Sequence, residues 1–588
     1  MKKSLFLLSG LAALLATTSC KKDFLEEDPR SILTPSFLGT PDGVQAGLTG
    51  TYSGLRNVFG NEEAEYMAVQ GTDEFMRGIA ANQGYEDYNR GLLNSTNSAA
   101  TNQWGIMYRY INGANGVIQY ATSVQGIAPA TVTQVVAEAK VLRAVYYFML
   151  VQLYGDVPLQ LTFVDVPTKD IKRAPVADVY TAIIKDLTDA LGGIADKPAQ
   201  PGRVTRATAL HVLSKVYLTR ATSPAKQSGD YASAAQYATE LLANQARYGV
   251  GLEANTADVF REGNENGKEV LMNVQFSQDA TFSGQNAFDP TGANQTNFFF
   301  RSRYDLLPNL DRSTAYGRPY ARFTPTPFLI GSYILPGETG RQVGTTDTRW
   351  TNWWTTTWLA NSPGLHVLTG GRVAALGDTA AQYYNRELLP AERTRINSRA
   401  GGAYVVGTPA NFTTQFSPVM NKYDDATRTG VNNPSDRPLI VYRLADTYLI
   451  AAEANFYLGK LDDARGYLNT VRERAGAAGK KTQMDINNSQ ITIDFILDER
   501  ARELCGEQMR WMDLVRTGKL YERVQKYVPA LTTRTAPPGG TDTYGSDAAK
   551  NIVAGNTPTQ FLLRPIPQTE IDRTTGQPSG GITQNPGY

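Results

Sequence analysis

Over residues 498–520 apolar side chains recur at helical intervals, so that Leu497, Ala501, Leu504, Trp511 and Val515 share one face of a single predicted helix. Arg500, Glu503, Glu507 and Arg510 follow at spacings of three and four beside that face. They form a charged ladder in which the arginines bracket two glutamates that would otherwise repel each other. Gly518, with Lys519 next to it, is the expected helix stop. The same periodicity organises two long blocks, residues 40–248 and 439–527. Between them, residues 270–435 are rich in Gly, Pro, Thr, Asn and aromatics and sustain no helical period; a similar loop-rich tail covers 531–588.

The helical blocks repeat a pattern. Tyr217-Leu218 is followed by Gly229-Asp230-Tyr231 and Ala234, then by Tyr237, Ala238 and Leu242. Tyr457-Leu458 is followed by Gly459-Lys460-Leu461 and Ala464, then by Tyr467 and Leu468. Small alanines allow close helix approach and the glycine turns the chain, which is the pattern of tetratricopeptide helix pairs. The expected fold is therefore mostly α, a tetratricopeptide-like helical-repeat scaffold interrupted by a long irregular insertion with loops and short strands.

The first residues stand apart. Lys2 and Lys3 precede an apolar run from Leu5 to Ala16, too short to span a bilayer, and Thr17, Thr18 and Ser19 lead into Cys20. This predicts a lipoprotein signal over 1–19, with Cys20 as the lipidated first mature residue and 20–36 as a tether, although Thr17 stands where leucine is usual. Residues 37–588 then form one domain. The other cysteine, Cys505, is left without a partner and is expected to be a buried thiol. A net charge of +1 over 588 residues gives no basic field for nucleic acid.

Further segments give the chain a family likeness. Glu499-Arg500 and Glu503-Leu504, then Arg510-Trp511, Asp513-Leu514, Arg516 and Gly518-Lys519, spell E-R-x-x-E-L and R-W-x-D-L-x-R-x-G-K. Trp104 to Asn115, Glu138 to Phe148, Tyr154 to Leu159, Arg443 to Ala454, Arg564-Pro565-Ile566-Pro567 and Gln584 to Tyr588 complete an ordered set. Together they resemble the SusD/RagB family of outer-membrane lipoproteins. The resemblance implies a surface-exposed, lipid-anchored nutrient-binding protein that takes a glycan, or less often a peptide, to a SusC-like TonB-dependent transporter. The charged stretch from Lys21 to Asp28 resembles a surface-export tag of such lipoproteins; a solvated tether is the plainer alternative.

No catalytic constellation is legible. His211 and His366 are the only histidines, neither lies in H-E-x-x-H, and no G-x-S-x-G occurs. His211, on a helix after Ala209-Leu210, is expected in the core. No cofactor and no metal ligand set is expected. The candidate chemistry is aromatic. In Trp350 to Trp358, a strand would place Trp350, Trp354 and Trp358 on one face, able to stack on the apolar CH surface of sugar rings. Their alternative role is to seal the insertion against the helices. Tyr85 and Tyr88, in a polar loop between early helices, form a second candidate site, where SusD-like proteins contribute to the binding face. Tyr316 and Tyr320, near Arg318, form a third. Two other readings remain: an interaction scaffold without a small ligand and, with least support, a surface glycoside hydrolase whose carboxylate pair has no fixed spacing.

Overall fold

The computed structural model describes residues 35–79, 83–277, 293–339, 344–362, 374–399, 405–536, 540–553 and 559–588. The expected signal segment, Cys20 and His366 lie outside them. The principal helices are α1 (Pro41–Ser53), α2 (Glu62–Ala68), α3 (Ser98–Tyr120), α4 (Pro129–Tyr154), α5 (Val176–Ala190), α6 (Arg206–Arg220) and α7 (Asp230–Ala243). After the insertion come α8 (Leu444–Tyr457), α9 (Leu461–Ala475), α10 (Ile493–Leu504), α11 (Arg510–Arg516) and α12 (Leu520–Tyr527). The chain is mostly helical, with neighbouring helices packed in a tetratricopeptide-like series: α3 on α4, α4 on α5, α6 on α7 and α8 on α9.

Local chemistry sets the helix starts. Thr205 and Thr208 close a reciprocal capping box at α6, and Thr492 accepts from the Phe495 amide at α10. Helix α4 is buried on all sides over its last three turns, and so forms the centre of the helical layers.

The two repeat units, more than two hundred residues apart in sequence, are brought together. Helix α7 packs on α8, with Ala234, Ala238, Ala451 and Ala454 fully buried between them. Tyr231 stacks on Tyr457 with ring centroids 4.5 Å apart. Only one of the two repeat glycines needs its freedom: Gly459 turns at φ +74°, whereas Gly229 sits at −91°, where any residue fits.

The insertion is tied down by short strands. These are β1 (Phe75–Arg77), β2 (Val270–Val274), β3 (Phe323–Pro325), β4 (Trp354–Thr355), β5 (Thr357–Leu359), β6 (Thr379–Tyr383), β7 (Val405–Gly407), β8 (Val419–Met420) and β9 (Leu439–Arg443). Strand β2 pairs antiparallel with β9, from Val270 opposite Arg443 to Val274 opposite Leu439. Strand β3 pairs with β1, which anchors the insertion to the N-terminal helical block.

The predicted single helix over 498–520 is corrected. It breaks after Leu504, where Gly506 and Gln508 adopt φ of +71° and +57°, and resumes as α11. The break turns Glu507 inward, where its carboxylate accepts from Arg443 Nε and Lys422 Nζ, each at 2.7 Å. The charged ladder does not pair along the helix either. Arg500 joins Asp513 and Asp446, Glu503 joins Arg349, Arg443 and Arg474, and Arg510 joins Asp73. These charges are buried, so each needs partners from other elements to offset its desolvation. Cys505 is a buried free thiol, and His211 is buried with Nδ1 2.8 Å from the Thr447 hydroxyl.

Candidate functional site

The structure buries two of the three aromatic groups that the sequence singles out. Trp350, Trp354 and Trp358 are 6, 2 and 0 % exposed, so no tryptophan platform faces solvent. They do not share one strand either: Trp350 belongs to a short helix, Arg349–Asn352, Trp354 to β4 and Trp358 to β5. Trp354 stacks on Phe75 and meets Tyr333 edge-on, sealing the insertion against the N-terminal block. Trp358 stacks on Tyr304 at 4.6 Å. The cost of leaving large apolar rings in water decides the outcome: each ring finds a partner from another element.

Tyr85 and Tyr88 are also interior residues. The Tyr85 hydroxyl donates to Asn97 Oδ1 (3.0 Å) and the Tyr88 hydroxyl to the Gly71 carbonyl (2.6 Å). The Arg564 guanidinium lies 4.6 Å from the Tyr85 ring centroid and 3.7 Å from that of Trp511, between the loop and the C-terminal helices. This loop also holds the tail, because Ser546 donates to the Glu86 carbonyl and Asn551 to that of Asp87. It buttresses the fold and offers no ring to a ligand.

Tyr316 and Tyr320 are different. Both are half-buried, on a loop of the insertion whose backbone is fixed at several points. Gly317 N donates to the Ser313 carbonyl, Ala321 N to that of Arg301 and Arg322 N to that of Phe299. The Tyr304 hydroxyl, pushed up to about 12 chiefly by burial, donates to the Gly317 carbonyl at 2.5 Å. Tyr316 sits edge-on to Trp358, and its hydroxyl bonds the Leu359 backbone, donating at 2.7 Å and accepting at 3.1 Å.

The Tyr320 ring lies beside two guanidiniums, 4.4 Å from Arg318 and 3.9 Å from Arg322. Arg322 is itself set by Glu62, 2.5 Å from its Nε. The Tyr320 hydroxyl has no hydrogen-bond partner among the described residues. Leu306, on the short helical turn Tyr304–Leu306, and Leu359, at the end of β5, are both exposed apolar side chains of the insertion. The result is a rigid surface patch with an aromatic face, a free hydroxyl and cationic donors, suited to stacking and hydrogen bonding. The arginines are what the sequence reading underweighted. The segment Arg318-Pro319-Tyr320-Ala321-Arg322 turns rather than extends, with Tyr320 N donating to the Arg318 carbonyl at 3.0 Å and Ala321 at φ +48°, so the gathering of both guanidiniums around the ring is set by the fold and not by sequence alternation.

Among the described residues no group of three or more His, Cys, Asp or Glu side chains is arranged to hold a metal ion. No helix among them is long and apolar enough to cross a membrane.

Comparison with known proteins places this geometry in context. The profile of the SusD family matches residues 268–588, and that described as "Starch-binding associating with outer membrane" matches residues 23–218. The chain is 25% identical over 520 residues to SusD-like protein P25 of Formosa agariphila, covering 86% of this chain and 88% of that protein. It is 24% identical over 417 residues to the starch-binding protein SusD of Bacteroides thetaiotaomicron, covering 67% and 66%. Among solved structures, a laminarin-binding SusD-like protein superposes with a TM-score of 0.65 at 22% identity, over 93% of this chain and 100% of the other. A SusD homologue from Bacteroides thetaiotaomicron gives 0.67 at 19% identity, over 93% and 97%. These likenesses share one architecture, and the first profile alone spans more than half of the residues: the chain belongs to the SusD family.

Proposed function

We propose that this chain is a non-catalytic glycan-binding protein, lipid-anchored through Cys20 in the outer membrane and facing the exterior. It captures an oligosaccharide and passes it to a SusC-like TonB-dependent transporter. The observation that carries the reading is the Tyr320 patch: a half-exposed ring, its free hydroxyl and two guanidiniums, on a loop stiff enough to be pre-organised. Relatives named for starch and laminarin binding support the glycan class. Ring CH surfaces stack on Tyr320 and Tyr316 while sugar hydroxyls accept from the arginines, so binding is reversible and no bond is broken.

Calorimetry tests this with the chain beginning after Lys22, titrated with laminarin and starch oligosaccharides. A glycan should bind, and Tyr320→Ala should weaken it about threefold to tenfold, the range of an aromatic contact. Unchanged affinity in the variant would move the site. Binding of peptides instead would change the ligand class, and binding of neither would favour an interaction scaffold. Release of new reducing ends during incubation would contradict the non-catalytic reading. Recovery of a TonB-dependent barrel with the tagged, membrane-borne chain tests the partnership.

A further inference from the structure

A large concavity lies away from the Tyr320 patch, where the C-terminal end of α4, the start of α5, the loop after α6, α11 and the C-terminal tail converge. It has a volume of about 680 Å³. That is the size of a pocket for a small organic ligand rather than for a single water. Its walls are mainly hydrocarbon, from Val151, Met512, Val515, Leu562 and Leu563.

Two arginines border it, and both are already engaged. Arg516 is paired with Glu453 (2.5 Å) and Asp513 (2.9 Å). Arg173 donates to the Asp156 and Thr583 carbonyls and to Asn585 Oδ1, at 2.7, 2.9 and 2.6 Å. Arg516 is thereby neutralised by two carboxylates; the acceptors of Arg173 are neutral, and its charge is offset instead by the field of the Asp156 carboxylate, which also lines the cavity.

One polar group of a buried lining residue is left over. Tyr180, on α5, is 2 % exposed and lines the cavity, yet its hydroxyl has no hydrogen-bond partner among the described residues. The ring is enclosed but its oxygen opens onto the cavity, so an occupant that displaces water there must supply the hydrogen bond or bear the cost of its loss. Here the missing partner can come from an occupant of the cavity.

We infer that this cavity is a second ligand site, for an uncharged, predominantly apolar small molecule carrying one hydrogen-bonding group, which pairs with the Tyr180 hydroxyl. The site is independent of the glycan reading, since it shares no residue with the Tyr320 patch. A sugar chain would leave most of its hydroxyls unpaired against these walls, so the cavity selects hydrocarbon surface.

The test uses the mature chain with Cys20→Ser, purified without detergent so that no acyl group or micelle competes. N-phenyl-1-naphthylamine is titrated and its fluorescence followed, with 1-naphthol as the competitor that carries a hydroxyl. The expected result is saturable one-to-one binding that Ala177→Trp abolishes, because Ala177 is exposed on the cavity wall and an indole there fills the space without entering the core. Tyr180→Phe should leave the dye bound but weaken 1-naphthol about fivefold, the value of one hydrogen bond. Circular dichroism of both variants should match the parent. Non-saturating dye uptake, or binding that Ala177→Trp leaves intact, would overturn the site. Equal 1-naphthol affinity in Tyr180→Phe would overturn the role of the hydroxyl.

Discussion

Arg443 Nη1 donates to Glu503 Oε1 across 2.6 Å, joining the last residue of β9 to the last turn of α10 in a place neither side chain shares with solvent. Around this pair Arg443 also reaches Glu269 and Glu507, and Glu503 also receives Arg349 and Arg474. The pair therefore fixes the insertion, the repeat helices and the C-terminal helices at one point. Glu503→Gln leaves buried guanidiniums short of a counter-charge, and should cost about 3–5 kcal/mol. The measurement is a urea midpoint at unchanged m-value. Burial alone would raise the Glu503 carboxyl, but Arg474, Arg443 and Arg349 outweigh it and hold the group well below the usual range. Its contribution is therefore complete above pH 4.5 and is lost as the pH falls towards the folded-state value.

Glu65 on α2 has the opposite sign. It is fully buried, accepts from Gln508 at 2.6 Å through one oxygen, and has no partner for the other among the described residues. Burial pushes its carboxyl up to about 8, against the opposing Gln508 bond. Between pH 4.5 and about 8 the folded state holds a proton that the unfolded state has released, so stability falls as the pH rises. Glu65→Gln should remove part of that slope in melting temperatures taken from pH 5 to 8. Glu74, also raised to about 8, and Glu86, raised to about 7, both chiefly by burial, keep contributing to it.

Burial distinguishes the aromatic groups by experiment. Trp354→Ala empties a core site and should cost about 3–5 kcal/mol. Tyr320→Ala, at a half-exposed position, should change stability by less than about 1 kcal/mol while altering the ligand titration. Parallel denaturation of the two variants checks the contrast.

The break between α10 and α11 depends on Gly506. A Cβ there would lie 2.4 Å from the Met420 methyl, on a backbone at φ +71° that side chains rarely adopt. Gly263 has a similar φ, +84°, but open space around it. Gly506→Ala should therefore cost more than Gly263→Ala, which bears only the backbone strain of about 1–2 kcal/mol. The difference between the two denaturation midpoints isolates the clash.

What the sequence revealed follows the range of the forces involved. Repeat alanines such as Ala234 and Ala464 are readable because helix approach is periodic, and both are buried as that pattern requires. The helix break is not readable from periodicity, since apolar spacing continues across Cys505 to Met509; Gly506 was its one local trace. The ionic network was hidden for another reason. Arg349 and Glu499 bond at 2.7 Å yet stand 150 residues apart, so α10 shows a charge pattern without showing where its partners are. Tryptophan density was ambiguous by nature: an indole that stacks on a sugar and one that stacks on Phe75 look alike until the fold chooses. The unpaired Tyr180 hydroxyl is a purely tertiary fact.

The pairing of β2 with β9 has a consequence for how such proteins can diversify. Because Val274 lies opposite Leu439, everything threaded between those residues leaves and re-enters the helical scaffold at adjacent points. Lengthening a chain closed in this way is cheap, roughly 0.6 kcal/mol for each doubling. The segment is thus an exchangeable cassette. It can be rewritten for a new ligand as long as it returns Asp347 and Arg349 to their buried carboxylate and guanidinium neighbours, and keeps the β3 edge that docks on Phe75.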